Sequence, residues 1–412
     1  MTIDPSLALL LLLAQNFEQR GFVENQTLVY PQTGSNDSGR VVSGALVRWE
    51  GSYRFTPWLR LNGAVDARTD THRQAERVAS VTLDDRTTER PAFAVRRLGA
   101  TLHWGKYTAE IGRQLIRWGK TDILNPTDRF APRDFLSSVV DSDFLGVWAV
   151  RGTYESGGNT VDLIWQPRFT PSRMPLFDQR WAGLPPAAAL ITIEDDGARY
   201  PGRSQYGARW NHVARSFEYS LSFFDGFHHL PSFNPRLVAI PLQPVSRPTV
   251  GLERFYPQLR LYGADTVIPL RWLTVKAEAA YFTFPRQSDA DQYVLYVVQV
   301  ERQVKEWSLV GGYAGEARAR TGTPNPLRFA PDRGFAKSFV GRAALAIDAN
   351  RSLAVETAVR AAGWFTRFEY SQLLGQHWRA TGGVAWMRGD MADFLGQYRR
   401  NSYASLAIRY SF

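Results

Sequence analysis

The run Ala404, Ser405, Leu406, Ala407, Ile408, Arg409, Tyr410, Ser411, Phe412 alternates without a break. Ala404, Leu406, Ile408, Tyr410 and Phe412 share one parity, and Ser405, Ala407, Arg409 and Ser411 the other. A period of two makes this a strand with one greasy and one polar face. Such a strand leaves a pairing edge unless it joins a partner, and the usual solution for an alternating strand with aromatic tips is closure into a barrel.

The same period recurs along the chain. Leu59, Leu61, Gly63 and Val65 oppose Arg60, Asn62 and Asp66, and Phe217, Tyr219, Leu221 and Phe223 oppose Glu218, Ser220 and Ser222. Leu273, Val275, Ala277 and Ala279 oppose Lys276 and Glu278, and Leu353, Val355 and Val359 oppose Glu356 and Arg360. Many of these spans run to about eleven to fourteen residues, against a globular mean strand of about 5–6. With 44% hydrophobic and 13% aromatic residues the chain is too apolar for disorder. Beyond the N-terminus it has no run of about 18 apolar residues, which excludes a multi-span helical membrane protein.

In a soluble sandwich the apolar parity faces a core; in a membrane barrel it faces lipid. Trp58, Trp104, Trp148, Trp165, Trp210, Trp307, Trp378, Trp386 and Tyr410 stand near strand ends, placed for interfacial girdles, and favour the second arrangement. Short turns at 55–57, 105–106, 156–159, 214–216, 303–305, 348–351 and 374–376 alternate with long connections at roughly 69–91, 118–146, 168–203, 226–250 and 316–335. The expected fold is all-β, a transmembrane antiparallel β-barrel of about eighteen strands, or sixteen if 291–303 and 361–364 divide differently. Short turns and both termini should face the periplasm, long loops the outside. The barrel should form one domain over 15–412. The apolar stretch 7–14 before Gln15 and Asn16 reads as the core of a signal peptide over 1–14; no Lys or Arg precedes it, and a short N-terminal helix is the alternative.

The polar parity, taken as the lumen wall, collects Arg48, Arg60, Arg97, Arg151, Arg209, Arg260, Lys276, Arg342, Arg360, Arg367, Arg379 and Arg409. Facing them are Glu50, Asp66, Glu110, Asp162, Glu218, Glu278, Asp348, Glu356 and Glu369. An aqueous channel needs such a wall, and an arginine surplus raises local anion concentration. The other reading is that most of these charges pair across strands and stiffen the wall. The net charge of +10 comes from dispersed residues without a basic run, so nucleic acid is not an expected partner.

At Gly112, Arg113, Gln114 the apolar parity slips: Tyr107, Ala109 and Ile111 lie on one side, Ile116 and Trp118 on the other. A bulge or strand end with backbone freedom at Gly112 and Gly119 accounts for the slip and leaves the facing of Arg113 open. Asn125, Pro126, Thr127, Asp128 then has turn chemistry.

The residues Gly112, Arg113, Gln114, Trp118, Gly119, Asp122, Asn125, Pro126 and Asp128 resemble a Gly-Arg/Lys-Gln…Trp-Gly-x-x-Asp…Asn-Pro-x-Asp pattern of porin-like and alginate-export-like outer-membrane barrels. The C-terminal strand resembles the closing strand of bacterial outer-membrane β-barrel proteins, in which a final Phe and an aromatic two residues earlier act as an assembly signal, here Phe412 and Tyr410. The first resemblance covers under a tenth of the chain and implies a channel or export barrel without naming a substrate. By position the motif opens the 118–146 connection, which is expected to play the part of the third loop that narrows general porins. The constriction would then carry Arg117, Trp118, Lys120, Asp122, Asn125, Asp128, Arg129 and Arg133. A strand cap with an ordered surface loop is the plainer reading of the same residues.

No Cys is present and the six His residues lack zinc-motif spacing. Neither a nucleophile elbow nor a phosphate-binding loop occurs. Asp225, Gly226, Phe227, His228, His229 reads as a solvated loop, with an acid–His pair or metal cluster as the alternative, and 171–201 as an ordered extracellular cap, with a lid or partner-docking segment as alternatives. No cofactor, metal or catalysis is expected. The expected function is passive passage of small hydrophilic solutes with weak anion preference. Alternatives are export or uptake of an anionic polysaccharide, an outer-membrane hydrolase, or a sleeve for a partner complex. Expected partners are outer-membrane lipids and lipopolysaccharide, the barrel assembly machinery and the solutes.

Overall fold

A computed structural model describes residues 16–122, 124–183, 190–239, 247–286, 290–322 and 329–412. The 1–14 segment lies outside the described residues. The strands are β1 (Phe17–Val29), β2 (Val41–Thr56), β3 (Leu59–Asp70), β4 (Phe93–Trp104), β5 (Tyr107–Gln114) and β6 (Val147–Ser156). They continue as β7 (Asn159–Gln166), β8 (Gln205–Val213), β9 (Glu218–Phe227), β10 (Gln258–Pro269), β11 (Thr274–Thr283) and β12 (Gln292–Val304). The last six are β13 (Trp307–Arg320), β14 (Ser338–Ala346), β15 (Arg351–Val359), β16 (Gly363–Leu374), β17 (Trp378–Gly389) and β18 (Tyr403–Ser411). Each pairs antiparallel with its neighbour in sequence, and β18 returns to β1 with Phe22 opposite Ser411 and Val29 opposite Ala404. The result is a closed eighteen-stranded barrel, with 292–304 one strand and a turn at 360–362 between two. Gly21 and Phe412 exchange backbone hydrogen bonds of 2.9 and 3.0 Å. A Cβ on Gly21 would lie 2.6 Å from the Phe412 ring, so glycine there lets the last side chain lie on the seam.

Short turns at 57–58, 105–106, 157–158, 214–217, 270–273, 305–306, 347–350 and 375–377 gather at one end with Phe17 and Phe412. The turn at 270–273 was not read from the sequence. Long connections gather at the other end, and among them Thr192–Arg199, Thr249–Phe255 and Ser232–Ala239 form a small three-stranded sheet. That asymmetry is the one expected of a barrel whose short turns face the periplasm.

Leu61, Val65, Leu163, Leu221, Val298, Leu406 and Ile408 are exposed on the outside, and Trp58, Trp104, Trp307 and Trp378 are exposed close to the short turns. An outward apolar surface bounded by aromatics is that of an outer-membrane β-barrel.

The inner face differs from a uniformly polar wall. Toward the long loops, inward positions of β9 to β12 carry Phe224, Leu259, Leu261, Phe282, Tyr293 and Leu295, all fully buried against Ile116, Trp118 and Phe130. A second cluster joins Phe365, Met387 and Tyr403 of the wall to Phe135, Trp181 and Tyr398 from loops. Loop segments therefore fold into the barrel mouth, and the wall beneath them is apolar because it is a protein core.

Candidate functional site

The 115–146 connection is built first by its own motif. Gly112 has φ +125°, a conformation that side chains rarely adopt, and a Cβ there would collide with the Leu98 carbonyl. The strand continues two residues further, to Gln114, before the connection begins. Asp128 then accepts the backbone N–H groups of Trp118 at 2.5 Å and Gly119 at 2.7 Å and the Arg117 guanidinium at 3.3 Å. The buried Asn125 donates to the Thr121 carbonyl, and Arg133 donates to the Asn125 amide oxygen at 3.3 Å. Gly119 leaves room for Asn125, whose side chain would lie 2.6 Å from an added Cβ. The spaced Trp-Gly, Asn and Asp residues thus knit one turn.

Inward side chains hold this turn. Glu278 of β11 accepts the Thr127 N–H and hydroxyl at 2.8 Å each, and the Lys120 N–H and Thr121 hydroxyl at 3.0 Å each. Lys120 pairs with Glu218 and donates to Asn211 at 3.0 Å. Asp122 accepts Gln299 at 2.6 Å and lies 3.4 Å from Lys276, which also pairs with Glu301. Trp118 is buried; its carbonyl accepts Arg209 at 2.6 Å and its ring meets Phe130 edge-on at 5.5 Å. Trp118 is therefore an anchor in packed protein, not a lining group.

The far part of the same connection reaches the opposite wall. Asp141 pairs with Arg367 of β16 at 2.7 Å, and Asp143 accepts both terminal nitrogens of Arg96 at 3.1 Å and lies 3.5 Å from Arg48. Between these ends Arg117 and Arg133 both stack on Phe144 at 4.3 Å. Arg129 is buried, 5.1 Å over Phe282 and 3.9 Å from Asp332, and its Nε and Nη1 have no hydrogen-bond partner among the described residues. Burial brings the Arg133 guanidinium down to about 10, with Asp128 opposing and Arg117 and Arg129 assisting. Asn125, Asp128, Arg129, Arg133, Ser172 and His229 border a cavity of about 120 Å³.

A second buried network ties three loops together. Asp134 accepts Arg90 at 2.9 Å and Arg173 at 2.7 Å, and Asp85 joins Arg173 at 3.2 Å to Arg113. Burial raises the Asp134 carboxyl, but Arg90 and Arg173 outweigh it and hold the group far below the usual carboxylate range. Arg113 thus faces neither open lumen nor lipid; it is buried beneath 83–85, donating also to the Leu83 carbonyl.

Most wall cations are paired. Arg97 meets Glu50 at 2.7 Å, Arg151 meets Asp162 at 2.8 Å and Glu110 at 3.2 Å, and Arg209 meets Asp265 at 2.9 Å. Arg367 meets Glu356 at 2.8 Å, Arg409 meets Glu24 at 2.6 Å, and Arg360 meets Asp393 of a loop at 2.8 Å. Arg60, Arg342 and Arg379 stand on the inward parity with no ion pair among the described residues. Arg379 lies directly opposite Arg409, and Arg60 opposite Arg54.

Arg260 is not a lumen residue: Leu259 and Leu261 take the buried inward positions, and Arg260 points outward to Asp225 at 2.6 Å. Asp348 belongs to a short turn, where it binds Arg351 at 2.6 Å. The 225–229 segment is not a solvated loop. Asp225 is held between Arg203 and Arg260, while His228 and His229 are buried, and no group of three potential metal ligands occurs among the described residues. Burial and the nearby Arg129 push the His229 imidazole well below its ordinary value. The part of 171–201 up to Gly183 folds inward, with Trp181 buried against Tyr398; 184–189 lies outside the described residues.

Sequence reasoning placed Glu278 on the polar parity but gave it only the part of a counter-charge. It missed Arg96, because a register shift between Ala64 and Val65 brings both Arg96 and Arg97 to inward partners.

No protein-family model and no curated protein matches the chain. Solved structures share its fold. OccAB3 of Acinetobacter baumannii is 9% identical with a TM-score of 0.55, over 96% of this chain and 99% of that one. A BenF-like porin from Pseudomonas fluorescens Pf-5 is 10% identical with a TM-score of 0.54, over 97% and 98%. OccK3 (OpdO) of Pseudomonas aeruginosa is 9% identical with a TM-score of 0.53, over 96% of each chain. The chain has the fold of outer-membrane porins.

Proposed function

We propose that the barrel is a passive channel for small hydrophilic solutes, with a weak preference for anions, and that the 115–146 connection forms its constriction. The observation that carries this reading is the connection's span between opposite walls, from Glu278 to Arg367 and Arg96. On the periplasmic side of that span the wall is polar and Arg60 and Arg379 make no ion pair among the described residues, while Arg342 stands level with Arg367, across Glu356. Unpaired guanidinium groups on a low-dielectric wall raise the local concentration of anions without binding them tightly. No step is catalytic; porins of this fold are channels, and the acid–His cluster that a hydrolase would need is divided between the outer surface and the loop core.

A second reading, export or uptake of an anionic polysaccharide, is favoured by the motif from Gly112 to Asp128 and its likeness to alginate-export-like barrels. Both readings use the same arginines. Assembly would proceed through the C-terminal strand, with Tyr410 and Phe412 read by the barrel assembly machinery.

Liposome swelling with the refolded protein separates the two. Entry of small anions such as gluconate faster than neutral sugars of the same size supports the channel. Exclusion of all small solutes, with passage of oligouronates, supports the polymer reading.

A further inference from the structure

The closing seam leaves a notch in the outer face of the barrel at its long-loop end. β1 stops at Val29 and β18 begins at Tyr403, while β17 runs on to Gly389. Val41, Val29, Ala404 and Val384 lie in register across four neighbouring strands. All four are on the outward parity. The small Ala404 among valines forms the floor of a groove of about 500 Å³, with Trp386 as one wall. Val29, Val41 and Trp386 are 46, 57 and 41% exposed, so the groove is open to the membrane.

Two arginines stand at its outer end. Arg40 borders the groove, and among the described residues its guanidinium donates to the backbone carbonyls of Tyr30 at 3.3 Å and Pro31 at 2.8 Å. Arg388 is exposed two positions beyond Trp386 on the same outward face, about 7 Å farther along a strand rising ~3.4 Å per residue. Neither has a carboxylate partner among the described residues. A cationic rim above an apolar groove matches an amphiphile with phosphates at its head. The long-loop end faces the outer leaflet, where that amphiphile is the phosphorylated, multiply acylated anchor of lipopolysaccharide.

We propose that this notch binds lipid A, one acyl chain lying along the row from Val41 to Val384 and the two phosphates meeting Arg40 and Arg388. A glycerophospholipid, with one phosphate, satisfies one arginine; lipid A, with two, satisfies both. The proposal rests on the orientation of the barrel and is independent of whether the lumen conducts.

The full chain in detergent micelles is titrated with hexa-acylated, bisphosphorylated lipid A, and retained lipid is counted by native mass spectrometry. One lipid A per chain is expected, with dephosphorylated lipid A and the Arg40→Ala/Arg388→Ala variant each about tenfold weaker, a difference equivalent to about 1.4 kcal/mol. Ala404→Phe, which fills the groove and keeps both arginines, is expected to lose retention. Heat-modifiable gel mobility verifies that each variant is a closed barrel, and the comparison of the two lipids on the unaltered protein needs no variant. Equal retention of phosphorylated and dephosphorylated lipid A, or equal displacement by phosphatidylglycerol, would overturn the proposal.

Discussion

The carboxylate of Glu278 on β11 accepts two hydrogen bonds from Thr127, one from its N–H and one from its hydroxyl, both 2.8 Å long. This single wall residue fixes a loop 151 positions away in sequence. A buried carboxylate that satisfies several loop donors makes the wall and the loop one body.

Replacing it is expected to release the loop. Glu278→Ala strands the N–H groups of Lys120 and Thr127, and each buried donor left unsatisfied costs about 1–3 kcal/mol. Single-channel recordings of the variant should show larger, noisier openings, and trypsin should cut within 115–146 in the folded barrel. Recordings indistinguishable from the parent would mean that other contacts hold the loop.

Deleting 121–141 is the stronger form of the same test. Conductance is expected to rise severalfold, because the deletion removes the segment between Glu278 and the opposite wall. An unchanged conductance would place the loop outside the path.

In the proposed channel, the ion preference is assigned to the arginines that make no ion pair. Arg60→Glu/Arg342→Glu/Arg379→Glu is expected to move the reversal potential toward cations in about 0.1 M salt, where the Debye length is ~10 Å. The effect should fade near 1 M, where it is ~3 Å. The same reversal at Arg260, which faces outward, should leave the potential unchanged.

Acid is expected to loosen the loops in two stages. The His229 imidazole is held below its ordinary value when packed, so the exposed loop binds more protons and the packed state loses stability as pH falls below ~6.5, by up to about 1.4 kcal/mol per unit. The Asp134 carboxyl is depressed, so its contribution is complete above the ordinary value of ~3.9 and is lost as pH falls toward its packed-state value. Channel noise measured from pH 8 to 3 should increase first below about 6.5, a step abolished by His229→Phe, and again below about 4. A flat profile through both ranges would contradict these assignments.

The strand count and phase were legible because a closed barrel repeats one simple pattern, apolar outward and polar inward, with aromatics at the ends. Alternation separates two faces but does not say which one is wet. Where loops pack inside, Leu259 and Leu261 look like lipid-facing residues, and Arg260 between them looks like a lumen residue; the truth is the reverse. The turn chemistry of Asn125 and Asp128 was visible locally, whereas its partner Glu278 was not, since no periodicity links a loop to a strand so distant in sequence. His228 and His229 looked solvated because loop residues usually are, but His228 stacks on Phe284 and His229 borders the cavity lined by 115–146.

The proposed channel is open and anion-leaning. Its most direct test is the single-channel conductance of the refolded protein in a planar bilayer, with the reversal potential read across a salt gradient. Discrete openings with a reversal potential displaced toward that of the anion are expected. A silent barrel, or a potential displaced toward the cation, would contradict the account.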